Sequence, residues 1–285
     1  MKNTTINKTN MKKLLKIEFE RVFKDKKLYI SMLIAFIIMG LGIYKEIFGY
    51  ALKLNMSTMD KINGVRMYPN LFEEWFGWQT GLYGQIYYFV MPIIISFPYT
   101  ATHYTDMKNK YIYQLITRNN RKNYYFAKYI TQFVTGGSIA VIPNIVSFII
   151  CAMYLPFIMP QSSSGQFAIA TKACVFGDLL YSHPFILFFV LMIIQFILYG
   201  MVNCIACIFS DILDNAFIVV ISPFIVSFIE NVISGSGIIK YSILSDNNVF
   251  MLQFQRLSSM LLIYIVLLTL ICTSFIIKCR REDVL

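Results

Sequence analysis

The chain has 285 residues, of which 57% are hydrophobic and only 14% charged. Soluble domains carry about 25% charged residues, so an ordinary soluble globular domain is excluded. The formal charge of +10 invites a nucleic-acid partner, but its distribution along the chain removes the reason for one.

Residues 1–10 are polar, rich in Asn and Thr, and read as unstructured. Over 11–27 the spacing predicts a basic amphipathic helix. Met11, Leu14, Leu15, Phe19, Val22 and Phe23 recur at helical intervals, and Lys12, Lys13, Lys16, Glu20, Arg21 and Lys24 fill much of the remainder. Such a helix is expected to lie on the membrane surface with its apolar face down.

Beyond it, six stretches lack Asp, Glu, Lys and Arg: 28–44, 75–105, 129–171, 179–210, 215–229 and 257–277. A membrane-crossing helix needs about 20 mostly apolar residues. The expectation is an all-α polytopic membrane protein, one transmembrane domain over 1–285, with spans near 28–48, 82–103, 124–156, 184–209, 216–233 and 257–277. The first span follows a long charged segment without an A-x-A-type site, so it reads as a retained signal anchor. Pro92 and Pro98 predict a kink or irregular turn in the second. Trp75 and Trp78, in an outer loop, read as interfacial aromatics.

Placing 1–27, 105–128, 210–215 and the tail after 277 on one side gives that side 18 Lys/Arg and 8 Asp/Glu, against 7 of each on the other. The whole excess lies on one face, as the positive-inside rule expects of the cytoplasm, and both termini then face inward. Little is left for nucleic acid to explain.

Enzymatic chemistry is scarce. Residues 235–242 have glycines and a lysine without the phosphate-loop spacing. His103 and His183 fall at opposite ends of spans and read as interfacial polar residues. Glu73-Glu74 has Trp78 where an arginine would complete the pair of an intramembrane CAAX-type protease, so it reads as a solvated loop pair. Cys204 and Cys207 form C-x-x-C inside a span with no nearby His, where cysteine acts as a small hydrophobe. Lys128 stands near the inner start of the third span and is expected to snorkel. Asn144, Gln195, Asn203 and Glu230 are the polar residues within spans, candidates either for a substrate path or for interhelical hydrogen bonds.

The most informative polar segment is 105–123. Thr105 or Asp106 is expected to cap a short helix running from Met107 to Ile116, broken by Arg118-Asn119-Asn120-Arg121 before the third span. A basic helix with exposed tyrosines suits a protein-docking surface.

The surface helix, six spans with both ends inside, the acid-led inner helix with Leu115, Arg118, Arg121, Tyr125 and Lys128, the outer segment 234–256 and the basic tail together give a pattern that resembles the permease subunits of ABC-2-type exporters. It is most similar to the small bacterial permeases of peptide-antibiotic immunity or peptide export. The resemblance implies a multi-pass protein of the bacterial plasma membrane that moves a hydrophobic or amphipathic substrate, a peptide foremost. It implies a separate ABC ATPase subunit holding ATP and Mg, no cofactor on this chain, and a second permease, identical or homologous. The coupling set would be Asp106, Lys108, Tyr111, Leu115, Arg118, Arg121 and Lys128. The competing readings are a membrane scaffold or sensor without transport, and an ion-coupled secondary carrier.

Overall fold

The computed structural model describes residues 3–49, 70–78, 81–112, 121–160, 176–210, 212–235 and 257–280. These are helical with no strand among them. The chain starts with α1 (Asn3–Lys24) and α2 (Lys26–Gly42), the latter prolonged by a π-helical stretch, Ile43–Phe48. A short helix α3 (Leu71–Trp78) precedes α4 (Leu82–Ser96) and α5 (Ala101–Lys108). Then come the long α6 (Arg121–Tyr154), the short α7 (Gly177–Ser182), α8 (Pro184–Phe209), α9 (Ala216–Gly235) and α10 (Leu257–Arg280).

Five of these segments are long and apolar enough to cross a membrane: Lys26–Phe48, Arg121–Tyr154, Pro184–Phe209, Ala216–Gly235 and Leu261–Arg280. They fall on five of the predicted spans. The second predicted span, 82–103, is not one helix. α4 has 15 residues and ends at Ser96, and a turn over 97–100 containing Pro98 separates it from α5. Proline lacks the N–H that would continue the ladder, which accounts for the break after Ser96. Pro92, in contrast, is accommodated inside α4.

Helix α1 begins earlier than expected, at Asn3, since no Gly or Pro interrupts residues 3–24. It ends where Asp25 adopts an extended conformation and caps α2, its carboxylate accepting from the Lys27 N–H at 3.0 Å. α1 does not turn a purely apolar face to the bundle. Its buried stripe is Leu14, Glu18 and Val22, an acid between two hydrophobes, while Ile17 and Phe23 face outward. That stripe packs on the protein because Glu18 has ion partners there.

Successive long elements run antiparallel. Arg21 before α2 meets Asp106 after α4, and Glu46 at the far end of α2 accepts from the Tyr83 N–H at the start of α4. α6 and α8 form the centre of the bundle. Gly136 and Gly137 lie on α6 opposite Gly200 on α8, and side chains there would collide with the neighbouring backbone. Small residues at such a crossing let two membrane helices approach closely. α9 and α10 are largely exposed on the outside of the bundle.

α3 corrects two sequence expectations. Trp75 is fully buried, not interfacial: its indole N–H donates to Ser147 Oγ at 3.0 Å, and its ring meets Phe148 and Phe188 edge-on. Glu73 and Glu74 are not a solvated loop pair either. They belong to this helix, with Glu73 buried against the Asn70 amide at 2.7 Å and Glu74 half-buried. The apolar residues flanking them pull the acids inward. An acidic pair gives no such warning from its letters alone.

Candidate functional site

Four charges from three separate elements meet at one end of the bundle. α1 supplies Glu18 and Arg21, α5 supplies Asp106, and the second turn of α6 supplies Lys128. Arg21 clamps Asp106 with two hydrogen bonds, Nη2 to Oδ1 at 2.7 Å and Nη1 to Oδ2 at 3.0 Å. It also reaches Glu18 at 3.3 Å. Lys128 donates to Glu18 Oε2 at 3.0 Å, Asp106 Oδ2 at 2.8 Å and Thr102 Oγ1 at 3.3 Å. An ammonium has three donors, and here each has an acceptor. The Tyr99 hydroxyl adds a 2.6 Å bond to Glu18, and Tyr124 OH lies 3.4 Å from Asp106 and 3.1 Å from His103 Nδ1.

This cluster is buried: Glu18 is 1% exposed, Asp106 3% and Lys128 1%. Isolated charges at such depth would cost several kcal/mol each, so they persist only because two acids and two bases cancel and every head group is hydrogen-bonded. Burial tends to push the Asp106 carboxyl up, but the Arg21 hydrogen bonds and the Lys128 charge outweigh it and hold the group below the usual carboxylate range. The Arg21 guanidinium is raised further above its ordinary value, chiefly by its bond to Asp106.

Several sequence expectations change here. Lys128 does not snorkel, and Asp106 does not cap a helix over 107–116. Asp106 lies in the last turn of α5, which ends at Lys108 with Asn109 as its C-cap, and Lys110 follows with φ 58°. A left-handed residue ends a helix, which is why the predicted continuous helix is interrupted. Asp106 and Lys128 point into the protein, so neither offers a docking surface. Lys108 is exposed and Tyr111 half-buried under Arg21, 5.4 Å from its ring centroid. Arg121 lies over Tyr125 at 5.7 Å. Leu115 and Arg118 lie outside the described residues. His103 is buried beside Tyr124 rather than interfacial.

The candidate path residues are distributed over two amide layers of the α6–α8 contact. One turn above Lys128, Gln132 Nε2 donates to Asn203 Oδ1 at 2.8 Å and Thr100 Oγ1 at 2.6 Å, and Asn203 Nδ2 returns a 2.8 Å bond to the Gln132 carbonyl. Three turns further, Asn144 donates to Gln195 at 3.0 Å, and Gln195 to Tyr88 OH at 3.2 Å. Asn144, Gln195 and Asn203 are each fully buried. The Gly136/Gly137–Gly200 crossing separates the layers. Glu230 is half-exposed on α9.

From the sequence, Glu18 and Arg21 count only as parts of the surface helix, and Gln132 is not singled out. The available signal was spacing. Glu18 interrupts the stripe Leu14–Val22 at four-residue intervals, and Lys128, Gln132, Gly136, Ala140 and Asn144 follow one another every four residues on one face of α6.

At the far end, burial and the neighbouring Glu73 push the Glu74 carboxyl up to about 7 from an ordinary value near 4.5. A raised carboxyl favours the neutral form, so stability is fullest below about 4.5 and declines as pH rises towards 7. Glu74→Gln, which keeps the neutral shape, is expected to stabilise the protein at pH 8 by roughly 1–2 kcal/mol after solvent screening and to change little at pH 4. Thermal melts of both proteins at the two pH values check this. Equal effects at both would refute it.

Five helices long and apolar enough to cross a membrane define a polytopic helical membrane protein. No protein-family description, curated protein or solved structure matches this chain.

Proposed function

We propose that this chain is the membrane-spanning permease subunit of an ABC-2-type exporter in a bacterial plasma membrane. In this reading it makes six passes, residues 82–103 supplying a broken second one, and keeps both termini in the cytoplasm. ATP and Mg act on a separate ATPase, two permeases form the path, and the cargo is hydrophobic or amphipathic, a peptide foremost.

One observation carries the reading: the ion cluster ties α5, the approach to the 105–123 loop, to both α1 and the base of α6. A partner that displaces this loop moves three elements together. α6 then conveys the displacement along the bundle, since its 34 residues extend about 50 Å. ATP biases the equilibrium only through its different affinity for two states of the partner.

The carrier reading gains buried carboxylates, Glu18 and Asp106, that were not apparent in the sequence. Both, however, already rest on cations at one end of the bundle. The helices also touch at Gly136, Gly137 and Gly200 too closely to admit a methyl group, which leaves no water-wide passage at that crossing.

The test is a tagged pull-down of the full chain from gently solubilised host membranes, with ATP hydrolysis assayed in the eluate. A stoichiometric ATPase is expected, with its association lost in Arg118→Glu or Lys108→Glu/Lys110→Glu proteins that still insert. A pure oligomer of this chain without an ATPase would overturn the proposal.

A further inference from the structure

At the bundle end that carries the ion cluster, the acids and bases are sorted by depth. Glu18 and Asp106 are withdrawn into the neutral cluster, so they cancel Arg21 and Lys128 and nothing on the surface. Lys12, Lys13, Lys16, Lys24, Lys26 and Lys27 remain exposed along α1 and the start of α2. The acids beside them are two. Glu20 lies 3.9 Å from both Lys16 and Lys24, and Asp25 is engaged in capping α2.

The corner between the two helices combines this charge with aromatic surface. Phe23 and Tyr29 are each 61% exposed, and the Tyr29 hydroxyl donates to the Phe23 carbonyl at 3.0 Å, bracing the turn. Lys24, Lys26 and Lys27, all exposed, fall between the two in sequence, and Lys26 opens a segment long and apolar enough to cross a membrane. Aromatic rings favour the headgroup level, and lysines beside a span attract anionic lipid.

The geometry points to an anionic-phospholipid site at the α1–α2 corner, where Lys24, Lys26 and Lys27 hold the headgroup phosphate and Phe23 and Tyr29 meet the upper acyl chain. It rests on α2 as a membrane span and is independent of the exporter reading. A bound lipid would fix the angle at which α1 leaves the membrane, and therefore the position of Glu18 and Arg21 in the ion cluster.

The full chain in mild detergent, mixed with phosphatidylglycerol or phosphatidylcholine and weighed intact by native mass spectrometry, tests the site. Phosphatidylglycerol should be retained at least about fivefold over phosphatidylcholine, the scale set by one lysine near an anionic surface. Lys24→Gln/Lys26→Gln/Lys27→Gln should abolish most of that preference, and the matching arginine triple should keep it. Neutralising Lys108, Lys110 and Lys122 instead removes the same charge elsewhere and should leave most of it. The site would be overturned by equal retention of the two lipids, by equal losses in the two glutamine triples, or by glycerol phosphate displacing the lipid as well as a second lipid does.

Discussion

Lys128→Met should be the most damaging single substitution at the ion cluster, lowering stability by about 3–5 kcal/mol, because it leaves Glu18 and Asp106 buried with one cation between them. The cost comes from stranded charge rather than lost packing, since Met nearly matches the lysine stem in volume. Removing the acid as well should therefore help: Glu18→Leu/Lys128→Met is expected to recover more than half of the loss. Thermal unfolding of the two single variants and the double, in one detergent, measures the coupling. Additive losses would show that the ion pair contributes nothing of its own.

The same cluster sets an acid limit. Asp106 is held below its ordinary carboxylate value, so its contribution is present above about pH 4 and is lost as pH falls through the lowered value. Asp106→Asn should remove that part of the acid sensitivity along with much of the stability.

Gly137→Ala and Gly200→Ala carry the second large effect. A methyl group on Gly137 would stand 2.6 Å from the Phe196 carbonyl oxygen, and one on Gly200 2.9 Å from that of Phe133. Backbone cannot rotate aside as a side chain can, so α6 and α8 must separate, loosening the Gln132–Asn203 bonds beside the crossing. Overpacking of this kind costs about 1–3 kcal/mol, and the double variant should exceed either single one. Gly40 on α2 has open space where its side chain would be, so Gly40→Ala should be neutral or stabilising by up to about 1 kcal/mol. If all three alanine variants melt alike, close approach at the crossing is not what Gly137 and Gly200 provide.

How much of this was legible in the letters depends on range. Helices at 184–209 and 216–233 could be placed within about two residues because an apolar run and its flanking breaks are local. The break in the second predicted span was signalled by Pro98, also a local cause. The interrupted helix at Asn109–Lys110 was missed because nothing in Lys108-Asn109-Lys110 forbids a helix. The buried bonds of Asp106 hold that segment instead.

Composition by itself determined that this is a helical membrane protein, since hydrophobicity is a sum over residues. Only the tertiary structure decided that Glu18, Arg21, Asp106 and Lys128, up to 110 residues apart, form one neutral unit, and that Glu73 and Trp75 belong to the interior. Pairing of charges depends on which helices touch. Contact is settled by side-chain shape, here by three glycines on α6 and α8, and no property of a single segment records it.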